Sequence, residues 1–275
     1  MAITTLDGLV ASMTAATRQR RIINQPVITG QAGGGFSSYW RAAGIPGQGA
    51  IPAAASAVNQ STLGSMKYTA ATGGQSTYLA RAGVSCGAPM AVEVHDRLAH
   101  MGGLSGTVTT AQTVGISLLS LASTDNIAAR KGADNYSAVS WYLEWYTSTG
   151  STAATATVTY TNHLGVTGRT TTVSLPTNVG ASRMLMIAPL AGEWIRSIES
   201  VQLSATTGTA GNFGVTVSRP LTEMVFAVSN SIVVLDWAAT GLPIIETNAA
   251  LTFIGFLGGG ASAGALYGSI TLIQG

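Results

Sequence analysis

The stretch Val139-Ser140-Trp141-Tyr142-Leu143-Glu144-Trp145-Tyr146-Thr147 decides the fold class. Val139, Trp141, Leu143 and Trp145 fall on one side of a period-two pattern, and Ser140, Tyr142, Glu144 and Tyr146 fall on the other. Strict alternation with β-favouring aromatic residues predicts a strand, with the first set in a core. The next segment repeats the pattern in a different chemistry. Thr155, Thr157, Thr159 and Thr161 line one face, and Ala156, Val158 and Tyr160 the other. Threonine fits the pleat through its branched side chain, and its hydroxyl suits a wet face.

Working outward, Asn162 to Gly168 carries turn residues, so Arg169 to Leu175 is expected to complete a hairpin. Further strands are predicted at Met184 to Ala188, Trp194 to Leu203, Phe213 to Val217 and Glu223 to Val228. Others follow at Ser231 to Trp237, Leu251 to Phe256 and Leu266 to Ile273. Upstream, Met90, Val92 and Val94 alternate with Ala91, Glu93 and His95. Many short strands between Gly, Pro and Ser turns predict a mainly β chain, an antiparallel β-sandwich or jelly-roll-like fold. A short helix is expected around Asp125 to Lys131. The glycine runs Gly33 to Gly35 and Gly258 to Gly260 lack a phosphate-loop context and read as turns.

The N-terminal part reads differently. Leu6, Leu9, Val10 and Met13 recur at helical spacing with Thr4 or Thr5 as cap. Arg18, Arg20 and Arg21 are then placed at the helix C-terminal end, where cations meet the dipole favourably. From Gly30 to Gly74 the chain is rich in Gly, Ala, Ser and Pro, so regular structure is expected to be sparse. Phe36, Tyr39 and Trp40 argue against a disordered linker and for an extended arm with an aromatic anchor. The expected organisation is a helix and arm over 1–74, a β subdomain from 75–136 with 221–275, and a sandwich-like subdomain over 137–220. Arg18, Arg20, Arg21, Phe36, Tyr39 and Trp40 are the predicted partner-binding residues.

Composition constrains function. Only 9% of the 275 residues are charged, 13 basic and 11 acidic, for a net charge of +2, against about 25% in an ordinary soluble domain. The mean hydropathy is +0.34. Small uncharged residues replace the missing charges, and a surface made of them loses little hydration or side-chain entropy when covered. Extensive protein–protein contact is expected. A nucleic-acid or membrane footprint is not. The single cysteine, Cys86, excludes an intrachain disulfide framework. The opening MAITTLDGLVASM shows no basic segment followed by an apolar core, so secretion by a signal peptide is not expected.

Titratable groups are too few to gather easily into an active site. Glu93, His95, Asp96, Arg97 and His100 form the densest cluster. A Glu93–His95 pair on one strand face, with Ser105 nearby, sketches a hydrolase triad. No nucleophile elbow accompanies it, and a structural polar cluster is the preferred reading. No catalytic residue, metal site or cofactor is assigned. Tyr142, Glu144 and Tyr146, on the polar face of the deciding strand, are candidates for stacking on a glycan, with packing of the rings under a second layer or a neighbouring subunit as the preferred reading.

DRLAHMGGLSGTVTTAQTVG (Asp96 to Gly115), SWYLEWYTSTGSTAATATVTY (Ser140 to Tyr160) and the ending GALYGSITLIQG together resemble virion structural proteins of tailed bacteriophages. The resemblance implies a non-enzymatic particle component, made in the bacterial host cytoplasm and incorporated into the virion. A capsid decoration or cement-type protein is the expectation. It would form a dimer or trimer with itself and bind other virion proteins, the major capsid protein first among them, with no nucleic acid or membrane partner. A tail or fibre component that binds a host surface glycan is the alternative.

Overall fold

The computed structural model describes residues 3–30, 34–209, 211–258 and 262–275. Gly33, Gly259 and Gly260, from the two glycine runs, lie outside them. Helix α1 (Leu6–Thr14) begins at Thr5, whose Oγ1 accepts from the Gly8 amide at 3.1 Å. The N-terminal strands are β1 (Gln19–Gln25), β2 (Ile28–Thr29), β3 (Gly35–Ser38) and β4 (Ser56–Ala57). Then come β5 (Thr77–Cys86), β6 (Met90–Ser105), β7 (Gln112–Ser117) and the short helix α2 (Ile127–Arg130). The middle of the chain forms β8 (Ser140–Trp145), β9 (Ala154–Asn162), β10 (Arg169–Leu175), β11 (Arg183–Met186), β12 (Ile195–Leu203) and β13 (Asn212–Phe226). The remainder adds β14 (Ser231–Leu235), α3 (Trp237–Thr240), β15 (Ile244–Ile245), β16 (Leu251–Leu257), β17 (Ser262–Ala263) and β18 (Leu266–Gln274).

The protein is mainly β and its sheets are antiparallel. The central sheet runs β13-β8-β11-β3-β16-β6, and β6 pairs back onto β13 along almost its whole length, which closes six strands into a barrel. Closure removes the open edges that an isolated sheet would present. A four-stranded sheet, β10-β9-β12-β7, covers one part of the barrel wall. Trp141, Leu143, Trp145, Val215 and Val217 from the wall share a core with Val158, Tyr160, Ile198 and Val201 from that sheet. A five-stranded sheet, β1-β18-β5-β14 with β15 beside β5, covers another part. There Val92, Val94, Met224 and Phe253 meet Leu79, Val84, Ile270 and Leu272. Cys86 is buried in this second core, as a small apolar residue.

Three departures from the sequence reading have physical causes. The sequence reads Phe213 to Val217 and Glu223 to Val228 as two strands. They are one strand, β13, with Pro220 beside a register shift, where a missing N–H costs no ladder bond. Arg20 and Arg21 lie in β1 and not at a helix end, because α1 stops at Thr14. The segment 1–74 is not an extended arm: β1 pairs with β18 and β3 completes the barrel between β11 and β16. Regular structure is sparse there, as expected, but the chain is wrapped around its own aromatic residues. Trp40 is wholly buried, with Gly49 and Gly64 against its ring, where a Cβ would lie 2.2 Å and 2.6 Å from indole carbons. Gly64 also has φ +99°, so glycine is required there twice over.

Candidate assembly surface

Beyond the half-buried Ser140, the polar face of β8 does not meet solvent. Tyr142, Glu144 and Tyr146 are buried, Glu144 completely, because closure turns that face into the barrel interior. Their assignment as a glycan platform is therefore corrected: no sugar ring has a face to stack on. Glu144 Oε2 accepts from Arg97 Nη2 at 2.7 Å and also from the Thr216 hydroxyl. Burial opposes its charge, but the Arg97 guanidinium and hydrogen bonds from Arg97, Thr216 and Ser38 outweigh that and hold the carboxyl below its ordinary range. Arg97 also lies over the Trp40 ring, 4.4 Å from its centroid, and its Nε donates to His100 Nδ1 at 3.1 Å. Burial, with the nearby Arg97 charge, lowers the His100 pKa to about 2, so this imidazole is neutral and serves as an acceptor.

A second buried pair pins the barrel to its loops. Arg130 grips Asp96 through Nε and Nη2 at 3.0 and 2.6 Å, and donates to the carbonyls of Val58, Arg97 and Asp125. All five guanidinium N–H groups are used, which is how a buried arginine avoids the cost of an unpaired charge.

Glu93 and His95 do form a pair, with Nε2 to Oε2 at 2.6 Å. The other ring nitrogen meets Ser218 Oγ at 3.0 Å, while Ser105 lies elsewhere and bonds Thr107. Carboxylate, imidazole and hydroxyl are thus aligned, but the order of exposure is inverted for acyl transfer. Glu93 is the partly exposed member, and His95 and Ser218 are wholly buried. A nucleophilic serine must be reachable by substrate, and its orienting acid need not be. Among the described residues, no group of three His, Cys, Asp or Glu side chains is placed to hold a metal ion.

The remaining candidates belong to the N-terminal segment, Phe36 within barrel strand β3 and the others beside it. Tyr39 and Trp40 are buried within the chain and Phe36 is half-buried, 5.4 Å from the Tyr142 ring and 5.0 Å from Phe256. These three anchor the N-terminal segment to its own barrel, so their assignment to a partner is also corrected. Arg18 and Arg20 are exposed and Arg21 is half-buried.

Register places the outward side chains of the five-stranded sheet in rows. One row is Asn24, Tyr267, Ser85 and Ile232, and the next is Ile22, Ser269, Gly83 and Val234. Ile22 is 44% exposed, Tyr267 and Val234 are 54% and Ile232 is 71%. Nothing lies within 4 Å of where a Gly83 Cβ would stand, so the centre of the face is a shallow opening. A strand-interior glycine weakens a strand and marks a place where another chain can approach closely. The sequence reading missed this face. Its residues come from four segments, and no one of them reads as a motif.

No protein-family model matches the chain, and no curated protein does. The solved structure of infectious bursal disease virus Gt strain aligns over 94% of this chain and 80% of that chain, at 12% identity and a TM-score of 0.17. A likeness that weak carries no argument. The outer face therefore rests on its own chemistry: four large apolar side chains and a floor of Gly and Ser. Helix α1 covers only one end of the sheet, where Leu9 packs with Tyr78, Ala80 and Ile273.

Proposed function

We propose that the chain is a non-enzymatic structural protein that works by packing against other protein subunits. The single observation that carries this reading is the open apolar face of Ile22, Tyr267, Ile232 and Val234 on the five-stranded sheet. Exposed apolar side chains gathered on one sheet face of a chain with so few charges favour burial against protein. With the resemblance to tailed-phage virion proteins, the reading becomes a capsid decoration or cement-type subunit. It would self-associate as a dimer or trimer, sit on the major capsid protein and reside in the virion. Each outer sheet, with the barrel wall it covers, then acts as a sandwich-like unit that presents one face to the particle.

The test is to add purified chain to tailed-phage heads stripped of accessory proteins and to image them. Regular density at symmetry-related positions is the expected result, lost with Ile232→Asp. Heads that remain bare at saturating protein would sink the decoration reading.

A further inference from the structure

Strand β1 has an edge that only its two ends use. The amide and carbonyl of Asn24 bond to Ile45, at 2.9 and 2.7 Å, so Asn24 points away from β18. Antiparallel ladders alternate, so Ile22 and Arg20 also direct their backbone N–H and C=O groups to that free edge. At the other end, the Gln19 side-chain amide bonds both backbone groups of Thr69, at 2.7 and 2.8 Å. Between these two closures the backbone of Arg20 and Ile22 has no partner among the described residues. The gap is five residue steps, or about 17 Å of strand.

A groove of about 380 Å³ runs along this gap, within the range of about 300–1,000 Å³ typical of ligand-holding sites. Its far wall is the segment from Thr62 to Lys67, held in place by the Met66 amide on the Leu251 carbonyl at 2.9 Å. Two polar atoms beside the groove are buried without a hydrogen-bond partner, Arg21 Nε and Ser65 Oγ. Ser65 is only 5% exposed. Ile22, Ile45 and Leu63 are exposed apolar side chains on its walls. Arg20, Arg21 and Lys67 also line it, and none of them is ion-paired to a carboxylate among the described residues.

We propose that this groove is a strand-addition site for an extended acidic peptide of a partner protein. Backbone groups of Arg20 and Ile22 would pair with the incoming strand, the apolar walls would take alternate side chains, and the three cations would meet its carboxylates. Charge selects the occupant. Pairing two copies edge to edge through β1 would bring both sets of Arg20, Arg21 and Lys67 together, so a second copy is disfavoured at this edge. The inference rests on the assembly reading only in taking the occupant to be protein. It adds the chemistry of the partner segment.

The test uses fluorescence polarisation with a labelled Glu-Val-Glu-Val-Glu peptide, its Lys-Val-Lys-Val-Lys counterpart, and the acidic peptide N-methylated at alternate amides. Saturable binding of the acidic peptide alone is expected, weakened at least tenfold by Lys67→Glu, by Ile22→Pro and by N-methylation. Ile22→Pro removes one outward N–H and leaves the ladder to β18 intact. If that variant fails to fold, Lys67→Glu and the methylated peptide still decide the matter. Equal binding of acidic and basic peptides would overturn the proposal, as would unchanged affinity in Lys67→Glu. Absence of peptide binding by a chain that still decorates phage heads would overturn the groove and leave the assembly reading standing.

Discussion

The two outer sheets perform the same task inward and opposite tasks outward. Each buries a row of aliphatic side chains against the barrel wall. The four-stranded sheet turns Thr155, Thr157, Thr159, Thr170, Thr172, Ser174, Ser200 and Gln202 outward, a face of hydroxyls and one amide. The five-stranded sheet turns Ile22, Tyr267, Ile232 and Val234 outward over Gly and Ser. Neither face relies on charge. One is a hydrated face of hydroxyls, and the other carries large apolar side chains over Gly and Ser, with Arg20 reaching Ser269 beside them. Low charge alone therefore does not tell the two faces apart, and the choice between Thr and Ile at outward strand positions does.

Both sheets hang on one barrel, and the largest expected effect tests that coupling. Glu144→Ala leaves the Arg97 guanidinium buried without its carboxylate, a loss of about 3–5 kcal/mol. Hydrogen exchange should then show β9 and β18 losing protection together. Loss confined to one sheet would show that the two fold independently.

Acid should act on the same barrel with a smaller effect. The His100 pKa is lowered on folding, so the unfolded chain binds this proton first. The stability held by the neutral imidazole is complete above the ordinary value of 6.5 and is lost as pH falls below it. Each unit below 6.5 is expected to cost about 1.4 kcal/mol from this group. Glu144, also lowered, adds a loss only as pH falls below its ordinary value of 4.5 towards its folded one. Urea midpoints at pH 7 and 5 should therefore differ in the native chain and move closer together in His100→Gln. An unchanged difference in that variant would remove His100 from the account.

The smallest effect on stability should carry the largest effect on association. Ile232→Thr with Val234→Thr gives the five-stranded sheet the outer chemistry of the four-stranded one. Surface changes of this kind shift stability by about 0.5 kcal/mol or less. Sedimentation should nevertheless show the proposed dimer or trimer replaced by monomer. If the double variant associates as the native chain does, this face is not the contact.

Much of the fold was legible locally. The alternation in Val139 to Thr147, the threonine strand, the hairpin to Leu175 and the helix capped by Thr5 can each be read in one stretch of sequence. The site was much less legible. Alternation separates two faces of β8 but does not say what covers the second. Glu144 and Tyr146 sit on a face that alternation marks as polar, and in the structure Arg97 and Thr216 supply their partners from strands far away in sequence. Likewise Phe36, Tyr39 and Trp40 read as anchors, which they are. Their socket is in the same chain, built partly by the glycines that made the segment look irregular.

By itself the sequence determined that this chain is built from antiparallel strands, because side-chain alternation is a local property of the pleat. It also determined that few charges would be available to build surfaces or sites. Tertiary structure alone decided which faces are inside. Pairing β6 with β13 joins segments more than a hundred residues apart, and that closure turns a polar face into a charge-paired interior. The same pairings bring Ile22, Tyr267, Ile232 and Val234 from distant segments into one apolar surface, since neighbours across a sheet are set by register and not by distance along the chain.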